Sequence, residues 1–245
     1  AYTTHARKIP VVPETVYVNT LIDNVSTINN IPIGYNVNTK SIFNYNFMEK
    51  RFNVVLTNYM DEVKMGFVYS LLRMFTKIPN LNVRVIDLVE AYEKEIPNVA
   101  SAGNNFDNAI IQINNEIITN EKNKVQGIYI FLGIGDYKNK LNQAGLQVLN
   151  KLFNNINNYE HSSIILVDTY ASYKKIKVEV WAQSNIDNMS GIWLGKDIGS
   201  QMAININNLS YEDRQLDFPY IGFAVCNGEH TPIKYVIEDS EINEK

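Results

Sequence analysis

Four short apolar runs, separated by amphipathic stretches, constrain this chain more than any other feature. They are NVVLT (53–57), LNVRVIDL (81–88), VQGIYIFLGI (125–134) and SSIILVDTY (162–170). NVVLT reads as a buried parallel strand and VQGIYIFLGI is apolar at nearly every position, the pattern of a strand covered on both faces; LNVRVIDL and SSIILVDTY read as the second and fourth strands. Between the runs, apolar residues recur at helical spacing: Val63, Phe67, Leu71, Met74 and Ile78 up to Pro79, then Phe106, Ile110, Ile113 and Ile117 in a helix expected over 104–120. A long third helix should carry Leu141, Leu146, Leu149, Leu152 and Phe153. Strands alternating with helices of this length predict an α/β fold, a mostly parallel central sheet with helices on both faces.

The flanks read differently. KIPVVPETVYVNTLID, with two prolines, predicts an extended arm leading into a short helix or strand, and IPIGYNVNTKSIFNYNF predicts a hairpin of Ile31–Asn36 and Ser41–Phe47. After Val178 come short runs with turns between them, VEVWA, GIWLG, MAININ, GFAVCNG and IKYVIE, expected as a β-rich part that extends or caps the sheet edge. With 245 residues and no compositional break, the chain reads as one domain: arm 1–30, α/β core 31–178, β-rich part 179–245.

Composition removes several function classes. Twenty-two Lys and Arg against 26 Asp and Glu give a net charge of −4 without a basic run, which argues against a nucleic-acid partner held through phosphates. The single cysteine, Cys226, excludes an internal disulfide framework and fits a reducing compartment; set in GFAVCNG, it reads as a small core residue. His5, His161 and His230 have no spacing that suggests a metal site, and no G-x-S-x-G elbow or G-x-G-x-x-G fingerprint is present. Trp181 and Trp193 read as packing residues. The chain starts AYTTHARK without an initiator methionine and has no signal peptide or long apolar span, so it is expected to be cut from a longer protein whose membrane anchor lies outside it.

Ligands of doubly wound sheets sit at the carboxyl ends of the strands, so chemistry is sought there. After the first core strand, RFNVVLTNYMDEVKMGFVYSLLRMF has the strand, loop and helix of a phosphate-binding loop, G-x-x-x-x-G-K-[ST]. With Lys64 as its lysine, Asn58 and Val63 take the two glycine positions and Met65 the hydroxyl position. A β-branched Val63 disfavours the positive φ that an anion-binding nest needs, Met65 offers a thioether where Mg²⁺ wants oxygen, and Asp61 and Glu62 add negative charge. Losing two charge-assisted hydrogen bonds of roughly 1.5–3 kcal/mol each weakens nucleotide affinity by about two to four decades. The plain alternative is that Lys64 is a solvated lysine at a helix start. The third strand ends in Gly133, Ile134 and Gly135, where a Walker B acid is needed; Asp136 comes later and reads as a helix N-cap. Asp87 and Asp168 close the second and fourth strands and could face a ligand or cap a turn. No catalytic residue and no metal-binding residue is assigned. ATP and Mg²⁺ are the only cofactors this position would take, and the departures predict that it holds none.

The arm KIPVVPE, the run IPIGYNVNTKSIFNYNF leading into the phosphate-loop strand, and the late GIWLGKDIGSQMAININ together resemble an FtsK/SpoIIIE-type ATPase module of the kind strung in tandem along the EssC/EccC coupling proteins of type VII secretion. The acidic tail after YVIE resembles the end of such a protein. The resemblance covers about Lys8 to Asn205. It implies a RecA-like P-loop NTPase fold, a location on the cytoplasmic side of the cell membrane through upstream parts of the parent chain, and partners that are small helical secretion substrates and neighbouring ATPase modules. Lys64 matches the family's Walker A lysine; Asn58, Val63, Met65 and Gly133–Gly135 depart from its pattern. Three readings follow: a noncatalytic coupling module that recruits substrate and regulates export; a nucleotide-binding motor module whose site a neighbour completes; and an interaction domain unrelated to ATPases, favoured if the first and third core strands are not neighbours.

Overall fold

The computed structural model describes residues 11–101 and 105–239, and within them ten strands join one sheet. In chain order the strands are β1 (Ile31–Asn36), β2 (Ile42–Tyr45), β3 (Phe52–Thr57), β4 (Asn82–Asp87), β5 (Ala100–Ser101), β6 (Gly127–Leu132), β7 (Ser162–Thr169), β8 (Gly191–Leu194), β9 (Ile221–Cys226) and β10 (Glu229–Tyr235). The sheet order is β2-β1-β10-β9-β8-β3-β7-β6-β4-β5. From β8 to β5 every pairing is parallel, and from β8 out to β2 every pairing is antiparallel. The parallel half is thus the four apolar runs plus β8 and the short β5, and the hairpin joins the late strands at the other edge. β3, β6 and β7 are buried almost throughout, as their unbroken apolar runs require.

The helices are α1 (Val18–Leu21), α2 (Glu62–Phe75), α3 (Phe106–Asn123), α4 (Tyr137–Lys140), α5 (Gln143–Asn155), α6 (Tyr170–Tyr173), α7 (Val180–Asn185) and α8 (Tyr211–Arg214). On one face of the sheet, Phe67, Leu71 and Met74 of α2 pack on Val55, Ile130 and Ile165. On the other, Ile110 and Ile117 of α3, Leu149 and Phe153 of α5 and Trp181 of α7 cover Val54, Phe131 and Leu166. Alternate residues of each strand therefore feed two separate cores, which is why the strand sequences are apolar at both parities. The arm enters as expected: Tyr17 bridges to Ile237, and α1 buries Val18 and Leu21 against the body. His5, the first residues of KIPVVPE (Lys8–Pro10) and the acidic tail 240–245 lie outside the described residues.

Several expectations need correction. VEVWA is not a strand: Trp181 and Ala182 are both buried and adjacent, which a helix face permits and a half-buried strand does not, and the Trp181 ring meets Phe153 at 4.7 Å. MAININ is not a strand either. There the buried Gln201 supplies the hydrogen bonds a neighbouring strand would give, its Oε1 accepting from Ala203 N (2.7 Å) and Ile204 N (2.8 Å) and its Nε2 donating to Ile204 O (2.8 Å). The long third helix is broken, with Leu141 extended between α4 and α5 because Asn142 caps α5, accepting from Ala144 N and Gly145 N. Cys226 is exposed, being the last residue of β9 and not a core residue. The first and third core strands, β3 and β6, are separated by β7.

Candidate functional site

Parallel strands end on one edge, so loops following β3, β4, β6 and β7 converge there whatever the order of the strands. They enclose an open cleft of about 670 Å³ whose apolar lining includes Met60, Met65, Tyr69, Leu132 and Val167. The phosphate-loop position forms one wall. α2 starts at Glu62 with Asp61 as N-cap, the Asp61 carboxylate accepting from Lys64 N at 2.9 Å. The same carboxylate accepts from Lys64 Nζ at 2.6 Å, and that ammonium lies 4.1 Å from the centre of the Tyr59 ring. Lys64 is only 7% exposed, so the solvated-lysine alternative is incorrect, and it does not line the cleft. Its charge is met by an acid three residues earlier and by an aromatic face.

The other three residues at this position are separated by the local backbone. Asn58 is exposed; Val63 is 39% exposed in the first turn of α2; Met65 is buried and faces the cleft. No residue from Thr57 to Met65 has positive φ, so the backbone does not curl into successive inward-pointing N–H groups. Among Asn58, Val63, Lys64 and Met65, the fold brings Met65 alone to the cleft wall.

The opposite wall is the end of β6. Gly133 turns there with φ +72, and a Cβ on it would stand 2.2 Å from Val89 Cγ1. A Cβ on Gly135 would stand 2.3 Å from the Ser172 carbonyl oxygen. Gly133 thus lets the β6 loop touch the β4 loop and Gly135 lets it touch the segment after β7, and Asp168 fastens the second contact: its carboxylate accepts from Gly135 N at 2.8 Å and from Thr169 N at 2.7 Å. Asp168 is 4% exposed, and burial pushes its pKa up against those two hydrogen bonds and the neighbouring Ser172 hydroxyl. Asp87 holds a turn, accepting from Val89 N and Tyr92 N. Asp136 stands in the N-cap position of α4, but its side chain makes no capping bond and instead accepts from Lys175 Nζ at 2.8 Å.

Sequence reasoning missed the loop between β4 and β5, which brings Glu90 and Glu93 into the lining. Tyr69 of α2 fixes that loop, its hydroxyl accepting from Glu93 N and Lys94 N. The run LVEAYEKE is a visible acidic signal, but nothing in it says which carboxylates turn inward. In all, Asp61, Glu62, Glu90, Glu93, Asp136 and Asp168 line the cleft against a single cation, Lys94.

Compared by sequence, the chain matches no protein-family profile and no curated protein. Its fold matches solved structures. The cytoplasmic domain of EssC superimposes on 97% of this chain with a TM-score of 0.69 at 12% identity. EssC (ATPases 2 and 3) from Geobacillus thermodenitrificans superimposes on 94% with 0.70 at 12%, and Thermomonospora curvata EccC (ATPases 2 and 3) in complex with a signal sequence peptide on 96% with 0.60 at 12%. The chain spans 50%, 46% and 45% of those three chains respectively. The architecture is therefore the P-loop ATPase fold that the resemblance implied. Separation of β3 from β6 does not favour an unrelated interaction domain, because loops from both strands still reach the same cleft. Among the described residues, no helix is long and apolar enough to cross a membrane.

Proposed function

We propose that this chain is a degenerate, noncatalytic ATPase module of an EssC/EccC-type coupling protein, one that recruits substrates and regulates export in type VII secretion without hydrolysing ATP. The observation that carries the reading is the engagement of Lys64 by Asp61 and Tyr59. A lysine that serves a β- or γ-phosphate has to be free to meet it, and here a carboxylate of the same loop already occupies that role. The remainder of the site is consistent: a triphosphate would enter a cleft lined by six carboxylates and one lysine. Each carboxylate about 8 Å from a phosphate charge costs about 2 kcal/mol at an effective dielectric of about 20. No acid stands at the end of β6 to hold Mg²⁺, and the close approaches at Gly133 and Gly135 leave no room for one.

In this reading the module works at the cytoplasmic side of the cell membrane, held there by upstream parts of its parent chain. Its partners are neighbouring ATPase modules and small helical secretion substrates. That an EccC ATPase pair of the same fold has been solved with a signal sequence peptide supports a recruiting role. Isothermal titration of the chain with Mg-ATP is the test: the expected result is a dissociation constant of about 1 mM or weaker. Micromolar, magnesium-dependent binding that disappears in Lys64→Ala would overturn the proposal.

A further inference from the structure

The cleft left by this site has a composition of its own. Of its six carboxylates, Asp61 is paired with Lys64, Glu90 with Lys140 and Asp136 with Lys175, whereas Glu62, Glu93 and Asp168 have no basic partner among the described residues. Asp168 is deeply buried at the cleft floor, where the N–H groups of Gly135 and Thr169 and the neighbouring Ser172 hydroxyl hold it but no basic side chain meets its charge. A buried carboxylate without a counter-charge is a group that a donor bearing positive charge would satisfy. A bare metal ion fits poorly, because among the described residues no three acidic, histidine or cysteine side chains come together closely enough to hold one. The volume, about 670 Å³, lies in the range of sites that enclose a ligand of several side chains' bulk, and the methionines give it an adaptable apolar wall.

We infer that the cleft receives a polypeptide segment carrying a lysine or arginine next to an apolar residue, with the cation drawn in by the unpaired charges of Asp168, Glu62 and Glu93 and the apolar side chain seating on Met60, Met65 and Leu132. This rests on the reading that the cleft holds no nucleotide, and it names the chemistry of the partner that takes its place. Charge complementarity selects the occupant: a negative concavity with an apolar wall attracts a basic segment and repels an acidic one. The cation restores the counter-charge that the phosphate-loop lysine, turned to Asp61, does not supply.

The probes are two synthetic eight-residue peptides, one alternating arginine with leucine and the other alternating glutamate with leucine. Each is titrated into the chain by fluorescence anisotropy, with the methionine methyl resonances followed in parallel. The arginine peptide is expected to bind saturably, to shift the Met60 and Met65 methyl signals, and to weaken about tenfold in the Glu62→Gln/Glu93→Gln double variant. The Glu212→Gln/Glu229→Gln variant, with the same change of net charge away from the cleft, should bind as the parent does. Equal binding of both peptides, equal effects of the two double variants, or unshifted Met60 and Met65 signals would each overturn the inference. Both double variants alter exposed residues, so failure to fold does not cloud the outcome. A Mg-ATP titration separates the two proposals: ATP that binds and displaces the peptide sinks both, whereas silence toward ATP and peptide alike sinks this one alone.

Discussion

Removing Asp61 and removing Lys64 have unequal consequences, although the two side chains form one ion pair. Asp61→Ala takes away the N-cap of α2 and leaves a buried ammonium with only the Tyr59 face, so a loss of about 2–4 kcal/mol is expected. Lys64→Met removes the buried charge together with its need for a partner and keeps the cap, so a change within about 1 kcal/mol is expected. Urea midpoints of the two variants decide the matter, and equal losses would mean that the pair does not hold the loop in this way. Gly135 is the second sharp position. A methyl group there meets backbone, the Ser172 carbonyl, so Gly135→Ala should cost about 2–3 kcal/mol and Gly135→Asp, an attempt to restore an acid, should prevent folding; thermal melts check both. The losses at Val63 and Met65 were legible in the sequence because they are chemical absences. The pairing of Lys64 with Asp61 was not, since an aspartate three residues before a helical lysine reads first as a cap.

Helix, strand and turn compete most closely where few residues decide. The buried strands β3, β6 and β7 were legible because an apolar run of that length between turn signals has few other solutions, and α2 and α3 because their stripes recur over several turns. VEVWA and MAININ misled because so short an alternating pattern carries little information, and the tertiary packing of Trp181 and the local hydrogen bonds of Gln201 override it. Elements far apart in sequence also meet at α2 in a way no local pattern announces. Arg73 donates to Glu238 Oε1 at 2.6 Å and to Asn19 Oδ1 at 2.7 Å, while Glu238 N donates to Gly66 O and Val18 N to Ile237 O. The arm and the C-terminal strand extension are thus clipped to the helix that follows the phosphate-loop position. In Arg73→Ala, amides of Val18, Ile237 and Glu238 should exchange about tenfold faster while Leu71 in the middle of α2 keeps its protection. Uniform acceleration of all four amides would show global loosening instead of release of a clip.

Across the whole molecule, one sheet with a parallel and an antiparallel half brings together segments that a sequence reading could only place in order. The alternation of runs made the parallel half legible. The adjacency of β8 to β3, and the insertion of β7 between β3 and β6, were not, because strand order depends on which crossovers pack best and not on any single run. Long-range ion pairs sew this arrangement together and give it a definite response to acid. Burial pushes the Asp187 carboxyl up, but hydrogen bonds from Lys50, Met189 N and Ser190 outweigh it and hold the group below its ordinary value. Asp213, beside His230 and Ser210, and Glu121, beside His161, are lowered by the same balance. A carboxylate whose pKa is lower in the folded state contributes stability that is complete above its unfolded value of about 4 and is lost as pH falls through the folded one. Asp168 and Asp239, raised by burial, work in the opposite sense and give back part of the loss. Three lowered carboxylates against two raised predict a net fall in stability below about pH 4.5, assigned in part to the Lys50–Asp187 contact. Asp187→Asn should therefore be about 1 kcal/mol less stable than the parent at pH 7 and should converge with it by about pH 3. Urea unfolding at intervals between those pH values measures the gap, and a gap that stays constant down to acid would exclude the Asp187 carboxylate as a source of the pH dependence.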